Sequence, residues 1–425
     1  MDSSQTSRTV ALATSLLAIV TELDKYSREN GLPARSFQPG TPISPPALPP
    51  SLSASVDEAF AQIEELTMLL LGPMGWMTTQ LTRMFDMVGM HALYRYKIPQ
   101  NLAIGETVAV AELARRCQAD EDAFTRLIQF AVPKGCLLSQ PEPGTVAHTA
   151  FSAMLASSPP INDWVGHVCE DLLPAVSQLP VALTTPDRPG AKTSYNFATG
   201  NSKNYWEGLV DDPVRADRFA SSMSFMQRMP GWQPAAALEP NVFDWAALDS
   251  RSVVVDVGGG DGTFACALAD RHPKLKRIIV QDVPHAVEQA RRRPDRLRAR
   301  VEFQAHDFFT PQPVHGASVY FLRKILHDWP DDEAITILRQ LVPALNTGAR
   351  VLINDHVVPP AGVLSPNQEW RSRAQDLAMM ALFNSRERTR ANWEDLIRRA
   401  DTRFHIRSIK PMPPGALSLL EIAWE

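Results

Sequence analysis

Residues 253–262 read VVVDVGGGDG, and this stretch decides how the rest of the chain is interpreted. The apolar run Val253–Val255 leads into Asp256, then Gly258, Gly259, Gly260 and Gly262, and a helical pattern opens at Thr263. Glycines after a strand let the backbone turn sharply and approach a ligand closely beside a helix N-terminus. The next β-rich run, RIIVQD, ends in Asp282, a carboxylate placed to accept hydrogen bonds from a ribose hydroxyl pair. A third run ends in Asp307-Phe308, an acceptor for an adenine amino group beside an aromatic wall. A nucleoside site follows from strand, glycine loop, helix and successive acids taken together.

The spacing separates two nucleoside ligands. Dinucleotide loops read GxGxxG and bring backbone N–H groups onto a pyrophosphate. Here the spacing is GxGxG with Asp256 leading. An acid pointing into the cleft repels pyrophosphate and suits a ligand carrying an ammonium group, which favours S-adenosylmethionine.

Outward from the loop, β-rich and helical runs alternate: RIIVQD, a helix from Pro284, VEFQAHDF, ASVYFLRKI, a helix from Asp331, RVLINDHVV, then helices near Trp370 and Asn392. The alternation predicts a doubly wound α/β sheet. The last two runs, RFHIRSIKPM and ALSLLEIAWE, are separated by Pro413-Pro414-Gly415, too short for a crossover helix, so this pair is expected to be antiparallel.

The N-terminal part has a different texture. Leu12, Leu16, Ile19, Leu23 and Tyr26 recur at helical spacing, which argues for an amphipathic helix rather than a signal peptide. Seven prolines between Pro33 and Pro50 predict an extended linker or strap. Helical periodicity resumes over Val56–Leu71 and is expected to stop at Gly72-Pro73. Thr107–Leu138 reads as helix, turn, helix (VAVAELARRC, QADED, AFTRLIQFAV), with a short strand around Thr145–His148. This winged-helix pattern serves either DNA binding or dimerisation; Asp120, Glu121 and Asp122 stand where a DNA reader would meet phosphates.

Composition narrows the functions further. Of 425 residues, 44% are hydrophobic, enough for two or three domains. Lys and Arg total 42 against 47 Asp and Glu, a net charge of -5 that argues against nonspecific nucleic-acid or anionic-membrane binding. Cys117, Cys136, Cys169 and Cys266 form no CxxC pair, which fits a reducing, cytoplasmic setting. No apolar stretch is long enough to span a bilayer.

The series DVGGGDG, QDVPHA, AHDFF, LRKILHDWPDDEA, INDHVVP and NSRERT resembles the caffeic-acid-type, class I O-methyltransferases, in the manner of fungal secondary-metabolite enzymes. The resemblance covers the chain after the proline segment and is weakest between Pro159 and Ala247. Periodicity and prolines make residues 1–50 helix and linker; the resemblance implies 51–190 as a winged-helix-like dimerisation domain making a homodimer, and 191–425 as a Rossmann-like methyltransferase domain. It further implies that Gly258, Gly259 and Gly260 line the cofactor's methionine portion, Asp282 its ribose, and Asp307 and Phe308 its adenine. Arg323 stands where plant members usually carry lysine. His327 falls at the general-base position, Asp355 and Glu387 match the acids that hold it, and Met379, Met380 and Phe383 lie on the helix that lines the acceptor pocket.

The chemistry accommodates these roles. Methyl transfer from a sulfonium is an in-line displacement in which alignment supplies much of the acceleration. A phenol of pKa about 10 needs a proton acceptor, and an imidazole oriented by carboxylates provides one. The expected reaction is methylation of a hydroxyl on an aromatic or polyketide-derived small molecule, with no metal. A pericyclase or dehydratase that keeps S-adenosylmethionine without transferring methyl is the alternative, with Arg323 and Lys324 as its electrostatic groups. Asp328 is expected to cap the helix beginning near Asp331, and the basic run Arg291–Arg300 to be a solvated face.

Overall fold

The computed structural model describes residues 6–133, 136–185, 192–229, 231–292, 300–412 and 417–425. They divide into two compact units, Met1–Asp171 with Ala361–Arg371, and Leu172–Pro360 with Ser372–Glu425.

The first unit is mainly helical. α1 (Arg8–Glu29) starts where Ser7 accepts the N–H of Val10, and its expected apolar stripe is the less exposed side, with Leu12 fully buried. A bidentate ion pair from Arg8 to Glu65 joins α1 to α2 (Pro50–Arg95). The proline strap between them is pinned where Phe37 C=O accepts the N–H of Ala150 at 2.6 Å. As expected, helical geometry stops at Gly72, which takes φ 64°, ψ 174°, and a second helical segment starts at once from Pro73, so α2 is two helices across a break. Proline needs no N–H partner at the start of a helical segment, so it restarts one as readily as it breaks one.

β1 (Thr107–Ala109), which sequence periodicity assigned to a helix, instead pairs with the hairpin strand β3 (Thr145–His148). α3 (Val110–Arg116) and α4 (Glu121–Ala131) follow β1, with Asp120 capping α4 through Ala123 N–H. β2 (Leu138–Ser139) completes a three-stranded sheet in the order β1-β3-β2. Two helices are thus followed by an antiparallel hairpin.

The second unit holds the expected α/β sheet. β4 (Val253–Val257), β5 (Arg277–Asp282), β6 (Val301–Ala305), β7 (Val319–Arg323) and β8 (Arg350–Asp355) are parallel. β9 (Val357–Val358) and β10 (Arg388–Thr389) make a small parallel pair outside the sheet. β11 (Phe404–Pro411) and β12 (Ser418–Trp424) pair antiparallel as expected, and β12 runs antiparallel to β8. The sheet order is β11-β12-β8-β7-β4-β5-β6. The connecting turn at Pro413-Pro414-Gly415 and residues 293–299 of the basic run lie outside the described residues.

Strand order reverses at β4, whose neighbours are β5 on one side and β7 on the other. Ligands of open α/β sheets bind beyond the C-terminal ends of the strands at such a switch point. Both faces of the sheet are covered. Val255, Tyr320, Leu322 and Ile353 pack with the helices Asp331–Leu341 and Arg390–Ala400 on one face. Val254, Phe321 and Leu352 pack with the helix Thr263–Arg271 and Trp245 on the other. The strand tips are therefore held between two packed layers. Among the described residues no helix is long and apolar enough to cross a membrane.

Candidate active site

The glycine loop sits directly beyond β4. Gly258 (φ +70°), Gly260 (φ +56°) and Gly262 (φ +75°) all occupy the left-handed region, which favours glycine. A Cβ on Gly258 would lie 2.5 Å from Ile325 Cδ1, so the loop closes against the β7 tip only without one. The N–H groups of Gly258 and Gly259 donate to Gln281 C=O, and Gly260 N–H donates to Asp282 Oδ2 at 2.8 Å.

Asp256 lies beneath this loop, and Gly259 has no room for a side chain because a Cβ would sit 2.6 Å from its carboxyl. Burial raises the Asp256 carboxyl to about 7, opposed by Arg323. Its Oδ2 is buried without a hydrogen-bond partner among the described residues. That orphaned oxygen is an acceptor awaiting a donor or cation, as the ammonium of S-adenosylmethionine would be. Asp282 keeps lone pairs beyond the two backbone N–H groups it accepts, from Gly260 and Val283, so it also has capacity for ribose hydroxyls. Asp307 accepts Phe309 N–H through Oδ1, and Phe308 supplies an apolar wall against Trp329. Arg323 is held by Asn354 Oδ1 and the Trp232 carbonyl. The residues present fit S-adenosylmethionine.

Beyond β7, the short turn Leu326–Asp328 carries His327. Two other chain segments and its own turn bring carboxylates to its ring. Glu387 Oε1 stands 2.9 Å from Nδ1, Asp328 Oδ1 3.4 Å from Nε2, and Asp355 Oδ1 4.0 Å from Nε2. His327, Asp355 and Glu387, 60 residues apart at the extreme, are thus brought together and buried, as expected. Burial by itself lowers the basicity of the ring, but Asp328, Glu387 and Asp355 outweigh it and lift its pKa to about 10. Burial likewise raises Asp355 to about 7. Glu387 is pushed up by burial yet ends below its ordinary value, because the His327 charge and hydrogen bond favour its ionised form.

Asp328 does not cap the following helix. Pro330 occupies the N-cap and provides no side-chain cap, whereas Asp328 faces the histidine. The capping expectation lost to a charge contact with the adjacent residue, His327. His356, unremarked in the sequence, places Nδ1 3.7 Å from Glu387 Oε2; its adjacency to Asp355 was the available signal.

The base-bearing turn is stapled through its carbonyls. Ser385 Oγ donates to His327 C=O at 2.5 Å and to Trp329 C=O at 2.8 Å. The fully buried Arg388 donates to Leu326 C=O (2.6 Å) and Trp329 C=O (2.8 Å) and pairs with Asp331. The segment that delivers Glu387 therefore also fixes the turn that delivers His327.

Of the residues expected on the acceptor side, Met380 and Phe383 pack against a cluster containing Tyr195 and Tyr205, while Met379 is half-buried on the same helix, Pro366–Phe383. Phe383 stacks on Trp206 (5.2 Å, 7°), Trp206 on Trp329 (6.1 Å, 21°), and Trp329 meets Phe308 edge-on at 5.9 Å. A continuous aromatic wall therefore runs from Phe383 to the expected adenine position. Trp206 lay in the least legible part of the sequence; Trp329 was signalled only by its place after His327-Asp328.

An O-methyltransferase domain model matches residues 183–403. "O-methyltransferase pyvH" of Aspergillus violaceofuscus is 34% identical, covering 99% of this chain and 99% of that one. The chain belongs to the O-methyltransferase family. It is an S-adenosylmethionine-dependent O-methyltransferase of the fungal secondary-metabolite kind. Two solved structures share its fold. OxaC in complex with SAH and oxaline has a TM-score of 0.79 at 21% identity, covering 99% of this chain and 100% of that one. LepI in complex with SAM has a TM-score of 0.76 at 23% identity, covering 97% and 100%.

Removing the staple tests its part in this O-methyltransferase. Arg388→Met should speed amide hydrogen exchange across residues 324–331, and unfolding in urea should show a loss of about 3–5 kcal/mol, since three acceptors lose a buried cation.

Proposed function

We propose that His327 accepts the proton of an aromatic or polyketide-derived hydroxyl as the methyl group is transferred, with Asp355, Glu387 and Asp328 holding the ring. The observation that carries this reading is the imidazole caged by three carboxylates at the mouth of a nucleoside-type loop. Bound S-adenosylmethionine supplies an electrophilic methyl on a sulfonium. Gly258, Gly259 and Gly260 would admit its methionine portion, Asp282 its ribose, Asp307 and Phe308 its adenine, and Arg323 would neutralise nearby acid. Glu387 fixes the ring through Nδ1, leaving Nε2 for the acceptor. The aromatic wall containing Phe383 supports a flat acceptor, with Met379 and Met380 beside it.

The raised basicity of His327 sets the protonation requirement. Transfer needs one proton shared between ring and hydroxyl, either as neutral ring with phenol or as imidazolium with phenolate; the proton count is the same. The decisive experiment uses methyl-labelled S-adenosylmethionine with a panel of phenols and seeks a labelled methyl ether with equimolar S-adenosylhomocysteine. Product lacking the label would transfer the case to the rearrangement alternative. His327→Gln should lower kcat by about 10²–10⁴-fold while binding S-adenosylhomocysteine within about twofold of wild type. For the wild type, kcat/KM with an ordinary phenol (pKa about 10) should rise from neutral pH toward the ring's raised pKa. With a more acidic phenol the rise should end at correspondingly lower pH, and an unshifted profile would contradict the shared-proton requirement.

The first unit is proposed to form a homodimer, in the cytoplasm. Met74, Met77, Leu81, Met84 and Val88 recur at helical spacing along α2, and all are exposed. An apolar stripe of this length calls for a cover, and a second copy provides an equally long apolar helix. Sedimentation velocity should give a dimer for the wild type and a monomer for Leu81→Glu combined with Met84→Glu.

A further inference from the structure

Lys324 is the charged group beside His327 that proton transfer leaves unused. It follows the last residue of β7, and its backbone is left-handed at φ +55°, a region that non-glycine residues seldom occupy. Its N–H is fixed to Asn354 C=O on β8 at 3.0 Å. From that anchored twist the side chain sets Nζ over the Trp232 ring, 4.2 Å from its centroid. Backbone strain at a strand tip, maintained by a neighbouring strand, is found where a side chain must be aimed.

The aim leaves the ammonium incompletely answered. Lys324 forms no ion pair among the described residues, although Asp328 acts on both it and the His327 ring. Burial lowers its pKa to about 8, with Asp328, Asp355 and Glu387 opposing that and Arg323 adding to it. Its neighbour Arg323 is engaged by Asn354 and the Trp232 carbonyl, so the two adjacent cations are held differently. A half-buried cation braced on an indole face, with no carboxylate of its own, is a receptor for an anion that arrives from outside. Sharing Asp328 with the base puts that receptor on the side of the reacting hydroxyl.

We propose that Lys324 determines acceptor specificity: its ammonium pairs with an anionic oxygen adjacent to the hydroxyl that is methylated. The enzyme then selects phenols bearing a neighbouring carboxylate or acidic enol over neutral phenols. This rests on the O-methyl-transfer reading and adds the acceptor's charge to it. The cofactor's own carboxylate has the same chemistry, so the test separates the two sources.

The full-length protein is assayed with 2,4-dihydroxybenzoate and with its neutral methyl ester, by methyl transfer and by calorimetric binding to the S-adenosylhomocysteine-loaded enzyme. The expected preference for the carboxylate is at least about tenfold, the scale of a charged hydrogen bond. Lys324→Met should bring the ratio near one, and Lys324→Arg should restore most of it. Equal handling of the two probes by the wild type, in turnover and in binding, overturns the proposal. Methyl ether formed without that preference would leave O-methyl transfer standing. A ratio unchanged in Lys324→Met also overturns it. So does a loss of affinity for S-adenosylhomocysteine but not for 5′-methylthioadenosine, which lacks the carboxylate.

Discussion

The hydrogen bond between Glu387 Oε1 and His327 Nδ1 is the contact on which the site depends. It ties the turn beyond β7 to the segment that enters β10, and it fixes which imidazole nitrogen faces outward. Without it, a histidine on a short turn would have a choice of rotamers and tautomers. With it, Nε2 is left toward Asp328 and Asp355. Burying an imidazole among three carboxylates is costly for stability, since each loses its hydration and none gains a full complement of partners. Asp355 illustrates the point: neither of its oxygens has a hydrogen-bond partner among the described residues. What such a group does is act on its neighbour, and here it raises the affinity of the ring for a proton.

The sheet makes this arrangement tolerable by holding the acids on rigid mounts. Asp282 and Asp355 end parallel strands, Asp256 lies inside one, and His327 follows another by a short turn. The mounts are also cross-linked behind the ligand positions. Gln281, buried on β5, exchanges amide hydrogen bonds of 2.8 Å with Gln312 and donates to Gln304 on β6. Its carbonyl simultaneously accepts from the glycine loop. The loop, the Asp282 tip and the Asp307–Gln312 segment are therefore connected through one residue, and the expected ribose and adenine positions cannot drift independently.

Much of this was legible because it obeys local periodicity or a fixed motif order. The strand runs around Val253, Arg277, Val319 and Arg350 were readable from β-branched density, and the terminal pair from a turn too short for a helix. What escaped depends on distant contacts. Thr107–Ala109 has the composition of a helix start but is consumed by a strand partner at Thr145–His148. Asp328 is a different case, since its carboxylate turns to the adjacent His327 ring and not to the helix start. Trp206 carries no motif, and its place in the aromatic wall follows from helices whose packing no periodicity encodes. The left-handed backbone of Lys324 is likewise invisible in a residue type that rarely adopts it.

The cage also bears on why the chain transfers methyl rather than only rearranging its substrate. A pericyclic reaction redistributes electrons within one molecule and has no obligatory proton acceptor; a cationic cofactor and well-placed dipoles suffice for it. Such an enzyme would gain nothing from a buried imidazole whose proton affinity is raised by Asp328, Glu387 and Asp355, and would still bear their desolvation. Loss of those acids would be the economical outcome. Methylation of a hydroxyl does have an obligatory proton to remove, and its reluctance to leave is greatest for weakly acidic phenols. In the proposed reading, a ring made basic by three carboxylates and stapled by Ser385 and Arg388 answers that demand. The rearrangement alternative is therefore outweighed, at the level of individual atoms, by what surrounds residue 327.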